Sequence, residues 1–419
     1  MKKVFLTSII LAIIGIINAQ PQTYVPDDNF EKALINLGYD AVLDDSVTTA
    51  NINTVTSLDV DNESIIDLTG IEDFSALTRL TCSDNKLTNL DLSSNTVLDY
   101  LICQSNKLVT LDVSSNTELY LLYCYDNLLK NLNVSSNTDL TDLSCFSNQL
   151  TKLDVSQNTV LADLFCGNNN LTTLDISSNT VLTDLSCWGN SLTKLDVSSN
   201  ADLTVLTCGS NQLTSLKVNS NTVLTNLECS DNNLTTLDVS SNTSITTLAC
   251  MSNQLTSLDV SFNTVLTNLF CLDNLFTNLD VSSNTGLTDL RCGFNQLTIL
   301  DVSSNTVLTN LSCDYNSLTS LNVANGKNTS MTMSALNNGN LTCIEVDDAV
   351  WSTANWIDID SQTSFSEKCV STLSINEYTS TKSLIKMFDI MGREATYKPN
   401  TLLIYLYDDG STEKVLTVE

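Results

Sequence analysis

The stretch LTRLTCSDNKLTNLDLSSNTV, residues 77–97, sets the pattern that most of the chain repeats. The same frame returns every 21 residues and places a cysteine at one fixed position. These residues, here called the ladder cysteines, are Cys82, Cys103, Cys124, Cys145, Cys166, Cys187, Cys208, Cys229, Cys250, Cys271, Cys292 and Cys313. Self-similarity at a short fixed period indicates a solenoid, in which each coil stacks on the next.

Each repeat divides into two similar halves, L-x-x-L-x-C-x-x-N and L-x-x-L-D-V-S-x-N-T. Both halves alternate apolar and polar residues before an asparagine, a pattern typical of a short strand followed by a turn. We therefore expect two short parallel strands per coil, with the Leu, Cys and Val side chains pointing inward. The asparagine columns, Asn85 to Asn316 and Asn95 to Asn305, can satisfy backbone groups at the turns. The predicted fold is a mostly β solenoid of about twelve coils.

The repeat core L77-x-x-L80-x-C82-x-x-N85-x-L87 is similar to the L-x-x-L-x-L-x-x-N-x-L core of leucine-rich repeat proteins, with cysteine in place of the third leucine. The resemblance covers residues 76–325. It departs from the common pattern in its short period and its second strand-like half, which leave no room for a long convex helix. The resemblance implies a binding scaffold without naming a partner.

The segments before the repeats differ in character. Residues 1–19 combine two lysines, an apolar run and a small residue at Ala19, which is the pattern of a secretory signal peptide. A membrane anchor is the alternative, for which the apolar run is short. Residues 20–75 are predicted to form an N-terminal cap and a divergent first repeat. The cap helix begins near Asp27 and carries an apolar stripe of Phe30, Ala33, Leu34 and Leu37.

Residues 326–371 are predicted to form a C-terminal cap, because an open solenoid must cover its last coil. This cap holds Cys343 and Cys369, the two cysteines outside the ladder. In an exported protein we expect them to form a disulfide, with two buried thiols as the alternative.

Residues 372–419 resemble the C-terminal sorting domain that directs Bacteroidetes proteins through the type IX secretion system. The matching motifs are DIMGRE at 389–394 and LIYLYDDG at 403–410, followed by KVL; the usual upstream Y-P-N-P element is absent. The resemblance implies that the type IX machinery is a partner. It also implies export through the periplasm to the medium or the outer cell surface. The alternative is a small β module without a targeting role.

Composition excludes several classes of function. Lys and Arg number 18 against 48 Asp and Glu, and the net charge of −30 opposes binding to nucleic acid or anionic lipid. The absence of histidine removes His-dependent catalytic triads and His-containing zinc sites. After the signal peptide, no segment of the sequence is apolar enough to span a bilayer. We assign no catalytic residue, no metal site and no cofactor.

Two ladders have structural interpretations. Parallel cysteine side chains about 4.8 Å apart suit neither a relaxed disulfide nor a tetrahedral zinc site, so we expect buried, reduced thiols. A column of aspartates follows the last leucine of most second halves, from Asp91 to Asp301, and is predicted to face outward. It forms either a solvated acidic face or a row that binds cations.

Residues on either side of each ladder cysteine are predicted to face away from the core. In coils three to six these positions concentrate aromatic side chains, which we call the aromatic surface: Tyr123, Tyr125, Phe146, Phe165 and Trp188. Acidic residues accompany them at Asp142, Asp163 and Asp184. Such a patch is typical of a surface that stacks on carbohydrate or contacts a protein. The alternative is aromatic packing that stabilises the sheet or contacts another domain.

The sequence thus predicts a non-enzymatic, secreted or surface-displayed protein that adheres to or recognises an extracellular protein or glycan. One alternative is a polysaccharide-active enzyme on a β-solenoid, for which no carboxylate pair stands out from the ladder. A further alternative is a passive structural protein. An ice-binding protein that uses the threonines from Thr96 to Thr306 is another.

Overall fold

The computed structural model describes residues 20–369, 383–408 and 410–417. These residues belong to two compact units that divide between Lys368 and Cys369. The predicted signal peptide, residues 1–19, lies outside the described residues.

The first unit begins with short elements before the repeats. They are β1 (Gln22–Tyr24), α1 (Asp28–Asn36), β2 (Ser46–Thr48) and α2 (Thr49–Ile52), with β1 antiparallel to β2. The coils then contribute strands of three residues each: β3 (Ser57–Asp59), β4 (Arg79–Thr81), β5 (Tyr100–Ile102), β6 (Leu121–Tyr123), β7 (Asp142–Ser144), β8 (Asp163–Phe165), β9 (Asp184–Ser186), β10 (Val205–Thr207), β11 (Asn226–Glu228), β12 (Thr247–Ala249), β13 (Asn268–Phe270), β14 (Asp289–Arg291), β15 (Ile299–Asp301), β16 (Asn310–Ser312), β17 (Ser320–Asn322), β18 (Thr332–Ser334), β19 (Cys343–Glu345) and β20 (Ser364–Ser366). A helix, α3 (Ala349–Asn355), lies between β19 and β20.

The main sheet has 14 parallel strands, which are β3 to β14, β16 and β18 in chain order. The register is in step with the repeat, so that Leu122 pairs with Leu143 and Leu143 with Leu164. The central residue of each strand in this sheet is buried, and so is the ladder cysteine that follows β4 to β14 and β16. The period-2 alternation of the sequence therefore places leucine and cysteine in one continuous core, and the predicted mostly β solenoid is confirmed.

The expectation of two strands per coil holds only at the C-terminal end. There β15, β17, β19 and β20 form a second parallel sheet. In the earlier coils that the structure describes, the second halves share one isolated bridge, between Asp112 and Asn133. Asparagine side chains connect these halves instead: Asn137 Nδ2 donates to the carbonyls of Val113 at 3.0 Å and Asn116 at 2.8 Å. Hydrogen bonds from the asparagine side chain thus replace part of the backbone hydrogen bonding that would connect two strands.

The first asparagine column connects the coils more completely. Asn127 Nδ2 donates to the carbonyls of Cys103, Cys124 and Tyr125 at 3.1–3.2 Å, and its Oδ1 accepts from the Leu108 amide at 2.9 Å. In the second column, the Oδ1 atoms from Asn95 to Asn305 are buried and accept no hydrogen bond. The two columns therefore differ in how fully their amides are satisfied.

The cap helix α1 forms where the sequence predicts it. The Asp27 carboxylate accepts from the amide of Asn29 at 2.8 Å and from that of Phe30 at 3.1 Å, so it caps the first turn. Phe30, Ala33 and Leu34 are buried as expected. Leu37 is not, because the helix ends at Asn36 and leaves Leu37 45% exposed before a left-handed Gly38.

Coil stacking continues past the predicted end of the solenoid at residue 325. Strand β18 pairs with β16 in the main sheet, and β20 pairs with β19 in the second sheet. The Trp356 indole is buried, and its Nε1 donates to the carbonyl of Met331 at 3.1 Å. The residues predicted to form the C-terminal cap therefore include further, less regular coils that keep the strand register.

The second unit is a three-stranded antiparallel sheet of β21 (Leu384–Phe388), β22 (Thr401–Tyr407) and β23 (Thr412–Thr417). The DIMGRE motif forms a turn, in which the Asp389 carboxylate accepts from the amides of Met391 at 2.9 Å and Arg393 at 3.0 Å. Across the described residues of both units, none of the helices has the length and apolar character needed to cross a membrane.

Candidate binding surface

The aromatic surface lies on the side of the main sheet that faces away from the core. Tyr123 ends β6 and Phe165 ends β8, and the register places Ser144 of β7 between them. Both rings are half-buried, whereas Ser144 is 4% exposed. The strand order therefore places a small, enclosed residue between the two rings.

Tyr125 and Phe146 follow the ladder cysteines of consecutive coils and stack on each other. Their ring centroids are 4.3 Å apart and the planes differ by 11°. This pair is the ring-to-ring contact that the structure describes among the five predicted residues. Each ring covers one face of the other, so the edges and the outer faces of the rings are what a ligand would meet.

Trp188 is the most exposed of the five, with 41% of its surface accessible. Its indole lies close to Gly167, the residue after the cysteine of the preceding coil. A Cβ atom at Gly167 would lie 2.7 Å from both Nε1 and Cδ1 of the indole. The absence of a side chain at Gly167 is therefore what allows the Trp188 ring to lie there.

The three aspartates beside the aromatic residues lie in register on β7, β8 and β9. Burial, followed by repulsion from Asp142, raises the pKa of Asp163 above its usual value. Burial, followed by repulsion from Asp163, does the same to the pKa of Asp184. Within the described part of the chain, none of the three carboxylates forms an ion pair. The surface therefore combines partly exposed rings with carboxylates that no basic side chain of the described residues pairs with.

Nearby aspartates also affect the two tyrosines of the aromatic surface. Burial, followed by the charges of Asp142 and Asp163, raises the pKa of Tyr123. Burial also raises the pKa of Tyr125, with Asp126 as the next cause. Both phenols therefore remain neutral donors over the physiological pH range, and each can donate a hydrogen bond to a bound partner.

The outward aspartate column has a local structural role. Asp154 Oδ1 accepts from the amide of Ser156 at 3.0 Å, and Asp175 Oδ1 accepts from that of Ser177 at 3.0 Å. Hydrogen bonds from these serines lower the pKa of both carboxyls. Each aspartate thus stabilises the turn that follows it, as aspartate commonly does in turns.

One acidic cluster escaped the sequence analysis. Carboxylate oxygens of Glu31, Asp40 and Asp44 lie within 4.8 Å of one another. Glu31 is fully buried and accepts from the backbone amides of Asp44, Asp45 and Ser46 at 2.8–3.1 Å. These hydrogen bonds give Glu31 a structural explanation, since it holds the loop after α1.

The twelve ladder cysteines are free and buried. Burial raises the pKa of each thiol, to about 12 for Cys187. The expectation of inert, core-filling thiols fits these surroundings. The predicted disulfide between Cys343 and Cys369 stays a prediction.

A second aromatic pair was also missed. Phe294 and Tyr315 stack with their centroids 4.2 Å apart and their planes 12° from parallel, and each ring is about half exposed. They lie directly before the first asparagine column, outside the positions flanking each ladder cysteine from which the aromatic surface is predicted. The signal was available there, because Ser, Asp, Asn and Gly fill this position in the other regular coils.

No protein-family model matches the chain. Internalin J of Listeria monocytogenes is 42% identical over 73 residues, which are 17% of this chain and 8% of that protein. The match therefore spans a small part of the relative's length. Among solved structures, the functional domain of InlJ from Listeria monocytogenes, which includes a cysteine ladder, is 33% identical with a TM-score of 0.74. That similarity covers 96% of this chain and 99% of the other.

Two more distant structures share the fold. An internalin, InlF from Listeria monocytogenes, is 24% identical with a TM-score of 0.67, over 71% of this chain and 91% of the other. The leucine-rich effector protein YopM from Yersinia pestis is 24% identical with a TM-score of 0.54, over 70% of this chain and 79% of the other.

Proposed function

Since the chain belongs to the leucine-rich repeat proteins and is related to the Listeria internalins, we propose that it is a non-enzymatic, extracellular binding scaffold that recognises another protein. It is secreted or displayed at the cell surface and acts in adhesion or recognition. Its contact region is the aromatic surface of Tyr123, Tyr125, Phe146, Phe165 and Trp188.

The concentration of partly exposed rings over consecutive coils is the observation that carries this proposal. The fold does not require rings at these positions, because Ser144, Ser186 and Gly167 occupy equivalent ones. Large aromatic side chains in a partly exposed patch are the residues that dominate protein interfaces. The leucines and cysteines that form the core lie on the other side of the sheet.

The geometry favours a protein partner over a glycan. Sugar rings bind to open aromatic faces, and the 4.3 Å stack of Tyr125 on Phe146 removes one face of each ring from contact. Their outer edges, the neutral Tyr123 hydroxyl and the nearby carboxylates suit the mixed apolar and polar contacts of a protein surface. A glycan that stacks on Trp188 alone is the competing outcome of the test.

The test compares the purified protein with a triple variant, Tyr125→Ala, Phe146→Ala and Trp188→Ala. A matched control, Phe262→Ala with Val265→Ala, removes apolar side chains that are 56% and 49% exposed elsewhere on the coils. Each protein is used for capture from extracellular-matrix and bacterial-surface extracts and is applied to a glycan array. Captured proteins are identified and then tested as purified binding partners.

A purified protein that binds the parent and the control but not the triple variant supports the proposal. Equal binding to all three contradicts the proposed surface. A glycan that shows the same pattern would assign the surface to carbohydrate. Release of uronic-acid products from candidate polysaccharides would indicate the enzymatic alternative.

We also propose that residues 372–419 are a type IX sorting domain. The DIMGRE turn and the strands that carry the second motif are compatible with a small independent module. In a Bacteroidetes host, deletion of residues 372–419 should retain the protein in the periplasm while the full chain reaches the surface or the medium. Equal export of both forms would contradict this proposal and favour a terminal β module without a targeting role.

A further inference from the structure

Phe294 and Tyr315 occupy backbone positions that disfavour them. Their φ angles are 53° and 54°, in the left-handed region. The equivalent residues of other coils are small and polar, and they share this conformation: Asp84, Ser105, Asp126, Ser147, Asn168, Ser210, Asp231, Ser252 and Asp273. Bulky residues rarely adopt positive φ, whereas Asn, Asp and Gly do so readily. The coil therefore requires the turn but not the rings.

The two rings are not there to fill the core. Phe294 is 51% exposed and Tyr315 is 50% exposed. Their stack recovers some stability through contact between the inner ring faces. The outer face of each ring has no aromatic neighbour among the described residues. Strained, exposed residues that local packing does not explain are candidates for function.

An acidic residue, Asp273, holds the position equivalent to Phe294 in the preceding coil. The Asp273 amide donates to the carbonyl of Gly293 at 3.0 Å, and the Phe294 amide donates to that of Asp314 at 2.8 Å. Asp273, Phe294 and Tyr315 therefore lie on consecutive coils. The side chain of Asp273 is exposed and forms no ion pair among the residues that the structure describes.

Elsewhere in the chain, an arginine lies on an aromatic ring and bonds a neighbouring carboxylate. The guanidinium carbon of Arg291 lies 5.1 Å from the centroid of Phe270, while its nitrogens bond Asp289 at 3.0–3.1 Å. The guanidinium carbon of Arg79 lies 4.1 Å from the centroid of Tyr100. Both arginines on the strands of the main sheet thus lie on aromatic rings, where the ring quadrupole attracts the cation.

We propose that Asp273, Phe294 and Tyr315 form a second contact surface, which binds a lysine- or arginine-rich segment of a partner protein. A cationic side chain can lie on the outer face of Phe294 and pair with Asp273. The net charge of −30 favours the approach of a basic partner and opposes an acidic one. This surface does not depend on the aromatic surface of coils three to six.

The experiment measures binding of a fluorescent tetra-arginine amide to the full protein by anisotropy, at about physiological ionic strength. A tetra-glutamate peptide with the same label serves as the acidic comparison. The test variant carries Phe294→Ser and Tyr315→Ser, because serine occupies this column in four other coils. Its neutral control is Phe262→Ser, which removes a ring that is 56% exposed in the other half of a coil.

A second pair of variants separates local contact from overall charge. Asp273→Asn and Asp231→Asn each remove one exposed carboxylate from the same column, and asparagine tolerates positive φ. Of these two aspartates, only Asp273 is followed by an aromatic residue, Phe294, at the equivalent position of the next coil. Thermal unfolding of every variant is recorded. Little change is expected for the serine variant, because the less strained turns offset the loss of the ring stack.

The expected result is a loss of at least about fivefold in tetra-arginine affinity for the serine variant and about threefold for Asp273→Asn. Phe262→Ser and Asp231→Asn should bind like the parent. Equal affinities in all variants would mean that diffuse charge alone attracts the peptide, and would overturn the proposal. Comparable binding of tetra-glutamate to the parent would overturn it as well.

Discussion

The indole of Trp188 occupies the space that a side chain at Gly167 would need: a Cβ there would lie 2.7 Å from Nε1 and 3.0 Å from the Trp188 carbonyl oxygen. The residues belong to consecutive coils and hold equivalent positions. The exposed tryptophan therefore depends on a glycine 21 residues earlier, and the two should be understood as one feature of the surface.

Gly167→Ala should displace the Trp188 ring. The new methyl group cannot be accommodated without movement of the indole and its backbone, so we expect a loss of about 1–3 kcal/mol in the free energy of unfolding. Tryptophan fluorescence should shift to longer wavelength as the ring becomes more exposed. Gly286→Ala is the control, because a Cβ there would meet nothing nearer than 3.8 Å. Unchanged fluorescence in Gly167→Ala would contradict the proposed dependence.

Asp163→Asn should stabilise the protein at pH 7. The pKa of Asp163 is raised in the folded state, so the folded state binds more protons between the unfolded value of about 3.9 and the raised value. Stability therefore falls as the pH rises through that window, and the cost is fully present at pH 7. Asparagine removes the charge, and we expect a gain of roughly 0.2–1 kcal/mol in chemical denaturation. Asn226 and Asn268 already hold this position in other coils.

Asp154→Asn provides the opposite case with the same chemical change. The pKa of Asp154 is lowered in the folded state by hydrogen bonds from Ser156. Its contribution to stability is therefore present above about pH 3.9 and is lost as the pH falls through the lowered value. At pH 7 the variant should be less stable than the parent. If Asp154→Asn and Asp163→Asn change stability in the same direction, the local fields assigned to the two carboxylates are wrong.

The regular part of the fold follows from the sequence because one physical rule repeats in every coil. Period-2 alternation identifies Leu122 and Cys124 as core residues, and the constant spacing places them against Leu143 and Cys145. The same rule does not say whether neighbouring main chains form ladder hydrogen bonds. The second halves have the alternation of strands, yet in most coils their carbonyls accept from asparagine side chains instead.

The candidate surface was less predictable, because coil spacing sets which residues are neighbours but not how their side chains turn. Tyr125 and Phe146 could be placed on consecutive coils, whereas their face-to-face stack and the Trp188–Gly167 contact depend on rotamers. Leu37 illustrates the same limit at a helix end, where one residue of shortening exposes a side chain. The role of the aromatic surface in binding stays a prediction.

Asn148→Ala should be strongly destabilising because one amide serves several backbone groups. Its Oδ1 accepts from the Leu129 amide at 2.9 Å, and its Nδ2 donates to the carbonyls of Cys124 and Cys145, both at 3.1 Å. Alanine would leave the buried Leu129 amide unpaired, whereas Asn127 still donates to the Cys124 carbonyl and Asn169 to the Cys145 carbonyl. We therefore expect a loss of about 1–3 kcal/mol in chemical denaturation. Asn170→Ala is the exposed control and should change stability by less than about 0.5 kcal/mol.

The ladder thiols should be unreactive until the protein unfolds. At pH 8 a thiol with a pKa of about 12, as for Cys187, is ionised to only about one part in ten thousand, and its burial also blocks access. Ellman's reagent should therefore detect almost no thiol in the native protein. In denaturant without reductant it should detect twelve, since the chain has 14 cysteines and the predicted Cys343–Cys369 disulfide would mask two. Detection of fourteen without reductant would disprove that disulfide, and rapid reaction of the native protein would disprove the shielding of the ladder.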